Sequence, residues 1–141
     1  MLTIRRIDID DARVLIRAAR EHAEKIGVPV CIAVADEGGN LMAFERMDGS
    51  KPTSAIISID KSYTAAGAKR ATHEIGAASQ PGAPAYGIAS AIGGRMVVVG
   101  GGLPVIVDGE VVGGIGVSAG SPDQDREIAQ AGIDAFFETL A

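Results

Sequence analysis

The chain has 141 residues, 47% of them hydrophobic and 22% charged, which is enough for one folded core and too apolar for a disordered chain. A net charge of −5 disfavours a nucleic-acid partner, and a single cysteine excludes an internal disulfide. No signal peptide opens the sequence, and no apolar run reaches membrane-spanning length without Gly, Pro or charge. The expectation is a cytoplasmic protein of one domain over residues 1–141, with no membrane partner. Aromatic residues are scarce, with no Trp, two Tyr and three Phe, so Ala, Gly and β-branched residues must fill the core at close backbone distances.

Residues 8–26 read as a helix. Asp8 is its N-cap, Asp10 and Asp11 sit in the first turn, and Gly27 stops it. Leu15, Ala19, His22 and Ile26 line one face, beside Ala12, Ile16 and Ala23. Residues 30–35 read as a strand that is apolar on both faces, hence covered on both. A turn over 36–40 returns the chain into a second strand over 41–46, giving an antiparallel hairpin. A second helix is expected over about 52–70, with an apolar stripe of Ile56, Ile59, Tyr63 and Ala66 and with Lys61 off that stripe. Residues 72–77 read as a short helical turn containing His73. A loop and an ambiguous, partly helical stretch over 85–92 follow it.

The informative stretch is 93–120, which is mostly Gly, Val, Ile and Met. Residues 96–100 read as a strand. Asp108-Gly109 joins two further strands in a tight hairpin, because glycine supplies the positive φ such a turn needs. Along the last strand Val112, Gly114, Gly116 and Ser118 share a face that is almost bare of side chains. So bare a face implies that a packed helix, a second subunit or a ligand approaches the backbone. The final helix opens with Ser121 as N-cap, Pro122 at its first position and Gln124 completing a capping box. Its expected buried face is Ala129, Ile133, Phe136, Phe137 and Leu140. Helices and strands in this order do not alternate as in a doubly wound fold, so the class is α+β.

Several chemistries fall away. The Gly114–Gly120 run is not a dinucleotide fingerprint, since the spacing is wrong and no βαβ unit surrounds it. HExxH and CxxCH are absent, which removes the zinc-protease and covalent c-type haem readings. His22 and His73, the only histidines, are candidate donors to a noncovalent haem iron; the other reading is a packed imidazole for His22 and an exposed residue near a helix end for His73. Asp36, Glu45, Arg46, Lys61 and Tyr63 cluster in sequence around the first hairpin and second helix. They are either a surface ion-pair network or a set of groups that hold a carboxylate and move a proton.

Three blocks, VPVCIAVADEGGNLMAFERMDG (28–49), DKSYTAAGAKRAT (60–72) and GGLPVIVDGEVVGGIGVSAGSPDQDREIA (101–129), carry a likeness over essentially the whole chain. In this order they resemble the GlcG/HbpS family of haem-degrading domains, and also the C-terminal part of PduO-type proteins. The resemblance implies a profilin-like α+β fold with an antiparallel sheet of about five strands flanked by helices. It also implies a homo-oligomer, dimer or larger, and noncovalent haem as cofactor, with degradation of haem in some members. Among the motif positions it carries over are Asp36, Glu45, Arg46, Lys61, Tyr63, Thr64, Gly101, Gly102, Gly116 and Asp125. It carries over no axial ligand.

Three functions are therefore open. The first is a small-molecule-binding protein that takes haem beside the glycine face, with Gly101, Gly102, Gly114 and Gly116 close to it. His73 or His22 would then reach the iron and Arg46 and Lys61 the propionates. The second is a cofactor-independent isomerase, hydratase or hydrolase acting on a small organic acid in a catabolic pathway. There Arg46 or Lys61 would hold the acid, and Asp36, Glu45 or Tyr63 would exchange the proton. The third is an accessory subunit of a catabolic enzyme.

Overall fold

A computed structural model describes residues 1–141. Its elements run α1 (Ile9–Ile26), β1 (Cys31–Asp36), β2 (Leu41–Arg46), α2 (Ser54–Ala68), α3 (Thr72–Ala78), β3 (Gly102–Val107), β4 (Glu110–Ser118) and α4 (Pro122–Thr139). The four strands form one antiparallel sheet in the order β2-β1-β4-β3. The class is α+β, as expected, with four strands where about five were expected. Residues 96–100 join no sheet. Thr64 holds the chain just before them by its side chain: Arg95 O accepts from Thr64 Oγ1 at 2.9 Å, and Val97 N donates to the same oxygen at 3.1 Å. The stretch before that forms single-turn 3-10 helices at Ile88–Ser90 and Ile92–Gly94.

The helix ends follow their local signals. Asp11 N donates to Asp8 Oδ1 at 2.8 Å and Asp8 N to Asp11 Oδ2 at 3.0 Å, a reciprocal cap at the start of α1. Gly27 ends that helix at a φ of 71°. Ser121 and Gln124 cap α4 in the same reciprocal way. In the β3–β4 turn Asp108 and Gly109 have φ of 51° and 79°, the two positive values of a type I′ turn.

Register divides the sheet into two unlike faces. Cys31, Ala33 and Ala35 of β1 stand opposite Ser118, Gly116 and Gly114 of β4, and Gly102 of β3 joins them. This face carries almost no side-chain volume, and α2 lies on it. Ile32, Val34, Leu103, Val105, Ile115 and Val117 point the other way, into a core closed by α1 and α4. Burying each large side chain there, such as Leu15, Ile115 or Phe136, contributes about 1.5–3 kcal/mol. The two helices meet at backbone distance, since a Cβ on Gly132 would stand 2.7 Å from Leu15 O. Phe137 and Leu140, expected in the buried face of α4, are exposed on its last turn.

Helix α2 corrects the expected stripe. Its buried residues are Ser54, Ser58, Lys61, Ser62, Thr64, Ala65 and Ala66, while Ile56 and Ile57 face outward. The glycine face explains the inversion. A Cβ on Gly114 would lie 3.0 Å from Ala66 Cβ, and one on Gly116 would strike Ser58 O. Only small residues fit between α2 and the sheet, so the isoleucines are displaced to the far side. Of the three neighbours expected for the bare face, a packed helix, a second subunit or a ligand, it is the helix that covers it, so haem does not lie against these glycines.

Candidate functional site

Lys61 leaves α2 toward the C-terminal end of β4, where it is 2% exposed. Its ammonium donates to Val117 O at 2.8 Å and to Asp125 Oδ2 at 3.0 Å. Asp125 comes from the first turn of α4 and is equally buried. Its other oxygen, Oδ1, accepts from Gly120 N at 2.9 Å. Gly101, at a φ of 125°, closes over the ammonium, and a Cβ there would stand 2.8 Å from Lys61 Nζ. Gly102 N donates to Thr72 Oγ1 at 2.9 Å and packs against Lys61 O. Gly101 and Gly102 thus shape the wall around Lys61.

Burial pulls the Lys61 ammonium below its usual range, and the Asp125 charge and hydrogen bond offset part of this. Burial pushes the Asp125 carboxyl up, and Lys61 offsets part of that. Both groups thus stand where a charge is held by its partner rather than by water.

A cleft of about 330 Å³ opens onto this pair. Ile57, Val97, Val99, Ala119 and Pro122 give it apolar walls, and Lys51, Ser54 and Ser118 line it with polar groups. A second cleft of about 300 Å³ lies across α2, lined by Tyr63, Gly67, Ile88, Ile92 and Met96. Beside it Arg95 stacks on the Tyr63 ring at 3.8 Å and binds Asp60 at 2.9 Å.

The histidines differ in what they present. His22 is half-buried between α1 and α4, and its Nε2 faces inward, 3.2 Å from Glu127 Oε2. His73, on α3, packs against Gly100 beside Pro122. Its buried Nδ1 has no partner, and the residue as a whole is partly exposed.

The remaining polar residues do not converge. Asp36 is a turn staple: its Oδ1 accepts from Gly38 N at 2.9 Å and Asn40 N at 3.0 Å. Glu45 accepts from Arg20 at 3.1 Å on the outer side of β2. Arg46 is exposed on that same edge strand, in a surface hollow with Glu24 and Asp48. Tyr63, two residues after Lys61 on α2, sits against Gly39 and lines the second cleft rather than the Lys61 cleft. The residues that sequence reasoning missed are Lys51, Ser54 and Ser118 as cleft lining, and Asp125 as the partner of Lys61.

The architecture is thus an α+β domain with a ligand-sized cleft where β4 hands over to α4. Residues 7–134 match the family model described as haem-degrading protein, HbpS-like, and the chain belongs to that family, as its three sequence blocks indicate. It is 44% identical over 132 residues to a 15.0 kDa protein encoded between dhaT and dhaS in Citrobacter freundii, covering 94% of this chain and 93% of that one. Among solved structures, a PduOC:haem complex is 38% identical at a TM-score of 0.89, with 92% of this chain and 94% of that one covered. A structure of HbpS is 32% identical at a TM-score of 0.86, with 95% and 92% covered. No helix is long and apolar enough to cross a membrane.

Proposed function

We propose that this chain is a small-molecule-binding protein that takes up haem noncovalently, with His73 as the axial donor. The observation that carries the assignment is that His73 is partly exposed and its imidazole is unclaimed by the chain, with a buried Nδ1 that has no partner. A haem iron needs one such donor and an apolar neighbourhood. Val99, half exposed, lies just beyond Gly100 and supplies part of that neighbourhood. The relative solved as a PduOC:haem complex supports haem as the ligand. His22 fits less well, because its Nε2 is turned toward Glu127. Lys69 and Arg70, exposed just before α3, suit the propionates better than Arg46 on the far edge or Lys61 in its buried pair. Bound haem would supply a redox-active iron. The chain's own part is to donate the nitrogen, shield one face and hold the carboxylates.

Exposed apolar residues support a homo-oligomer, as Ile56, Ile57, Tyr86, Ile92 and Val99 stand open on and around the outer side of α2. The test is a haemin titration followed at the Soret band, with light scattering on the same samples. Saturable one-to-one uptake is expected, lost in His73→Ala and kept in His22→Ala, by particles larger than one 14.4 kDa chain. Equal uptake by His73→Ala would overturn the ligand assignment. Nonsaturating uptake would overturn the haem reading, and particles of one chain would overturn the oligomer.

A further inference from the structure

Cleft walls in a folded protein normally use their own polar groups. Ser54 and Ser118 are 2% and 5% exposed, yet neither hydroxyl donates or accepts a hydrogen bond within the chain, and neither is sealed away. Both open into the cleft above Lys61 and Asp125. Lys51 lines the same cleft and forms no ion pair, although the chain is acidic overall. Both hydroxyls therefore face the cleft with hydrogen-bonding capacity that the chain does not use and a ligand there can take up.

We propose that this cleft is a binding site for a small monocarboxylate. The Lys51 ammonium takes the charge, the Ser54 and Ser118 hydroxyls donate to the carboxylate oxygens, and Ile57, Val97 and Val99 receive the carbon chain. Charge selects the class. The cavity carries two ammonium groups against one carboxylate, which balances a single negative charge and not two. Asp125 alone would repel an anion, but Lys61 neutralises it at 3.0 Å. The cleft contains no arginine, so it lacks the fork that a phosphate dianion favours. The site adjoins the proposed haem position, sharing Val99 with it, but its polar groups Lys51, Ser54 and Ser118 are distinct from His73, which does not line this cleft.

The test is calorimetric titration of the full chain with acetate, lactate, pyruvate and inorganic phosphate, with amide NMR shifts recorded in parallel. At least one monocarboxylate binds saturably and moves the amide signals of Ser118 and Gly120. Lys51→Gln and Ser118→Ala, which alter an exposed side chain and a single hydroxyl, each weaken that binding by about ten-fold, the loss expected for one charge-assisted hydrogen bond. Absence of saturable binding by all three acids overturns the proposal. So does phosphate binding as tightly as the best acid, or affinity unchanged in both variants. The same variants keep their Soret titration, so failure here and failure of the haem assignment are read separately.

Discussion

Removing either member of the Lys61–Asp125 pair leaves the other charge buried without a partner. Lys61→Met or Asp125→Leu alone should therefore cost about 3–5 kcal/mol, while the double replacement should cost far less or even stabilise, because two desolvation penalties vanish together. Urea unfolding of the four species forms the cycle, and near-additive losses would refute the coupling. This pair also marks where sequence reading stops. Lys61 and Asp125 are 64 positions apart, and nothing in local pattern joins them. Lys61 looked like the solvated side of its helix because charge is the ordinary mark of a solvated face. Asp36 looked like a proton carrier because a carboxylate's partners are invisible until the turn closes around it.

Elements governed by short-range signals were legible. The cap at Asp8, the Ser121-Pro122 start and the Asp108-Gly109 turn each act within a few residues, and each is where it was expected. Helix α2 was misread because its period was judged by hydrophobicity, whereas its seat on the sheet selects for smallness. That difference is measurable. Gly116→Ala should destabilise by about 3 kcal/mol, since the new methyl group meets Ser58 O and Ser62 N. Gly67→Ala, on the open side of the same helix with nothing within 4 Å, should stabilise by about 0.5–1 kcal/mol. Thermal unfolding ranks the two, and equal shifts would contradict the close seating of α2. The missing fifth strand has a similar cause. Residues 96–100 read as a strand by composition, but the stretch is bound by the Thr64 side chain at Val97 N and packed against α3 at Val98.

For the molecule as a whole, the buried pair gives stability a shape in pH. Asp125's folded value is raised above its ordinary 3.8, so its contribution is present at acid pH and is lost as pH climbs through the folded value. Lys61's folded value is lowered below 10.5, so its contribution is present above that and is lost as pH falls through the folded value. Relative to the Lys61→Met/Asp125→Leu double variant, the native chain should gain stability with rising pH just below 10.5 and lose it with rising pH just above 3.8. Chemical denaturation across both windows checks the signs, and identical pH profiles would show that the pair does not titrate with folding. The family and the α+β class were legible because whole blocks of sequence carry them; the cleft was not, since it joins residues from α2, β4, α4 and the loops before α2, between α3 and β3 and between β4 and α4. The unlike faces of the sheet also set the direction in which this sequence can drift. Against α1 and α4, a side chain can shrink and leave a void that the fold survives. Against α2, only shrinkage is allowed and most positions have nothing left to lose. Descendants of this chain are free to vary one side of the sheet by trading shapes, and are held on the other side at the smallest residues chemistry offers.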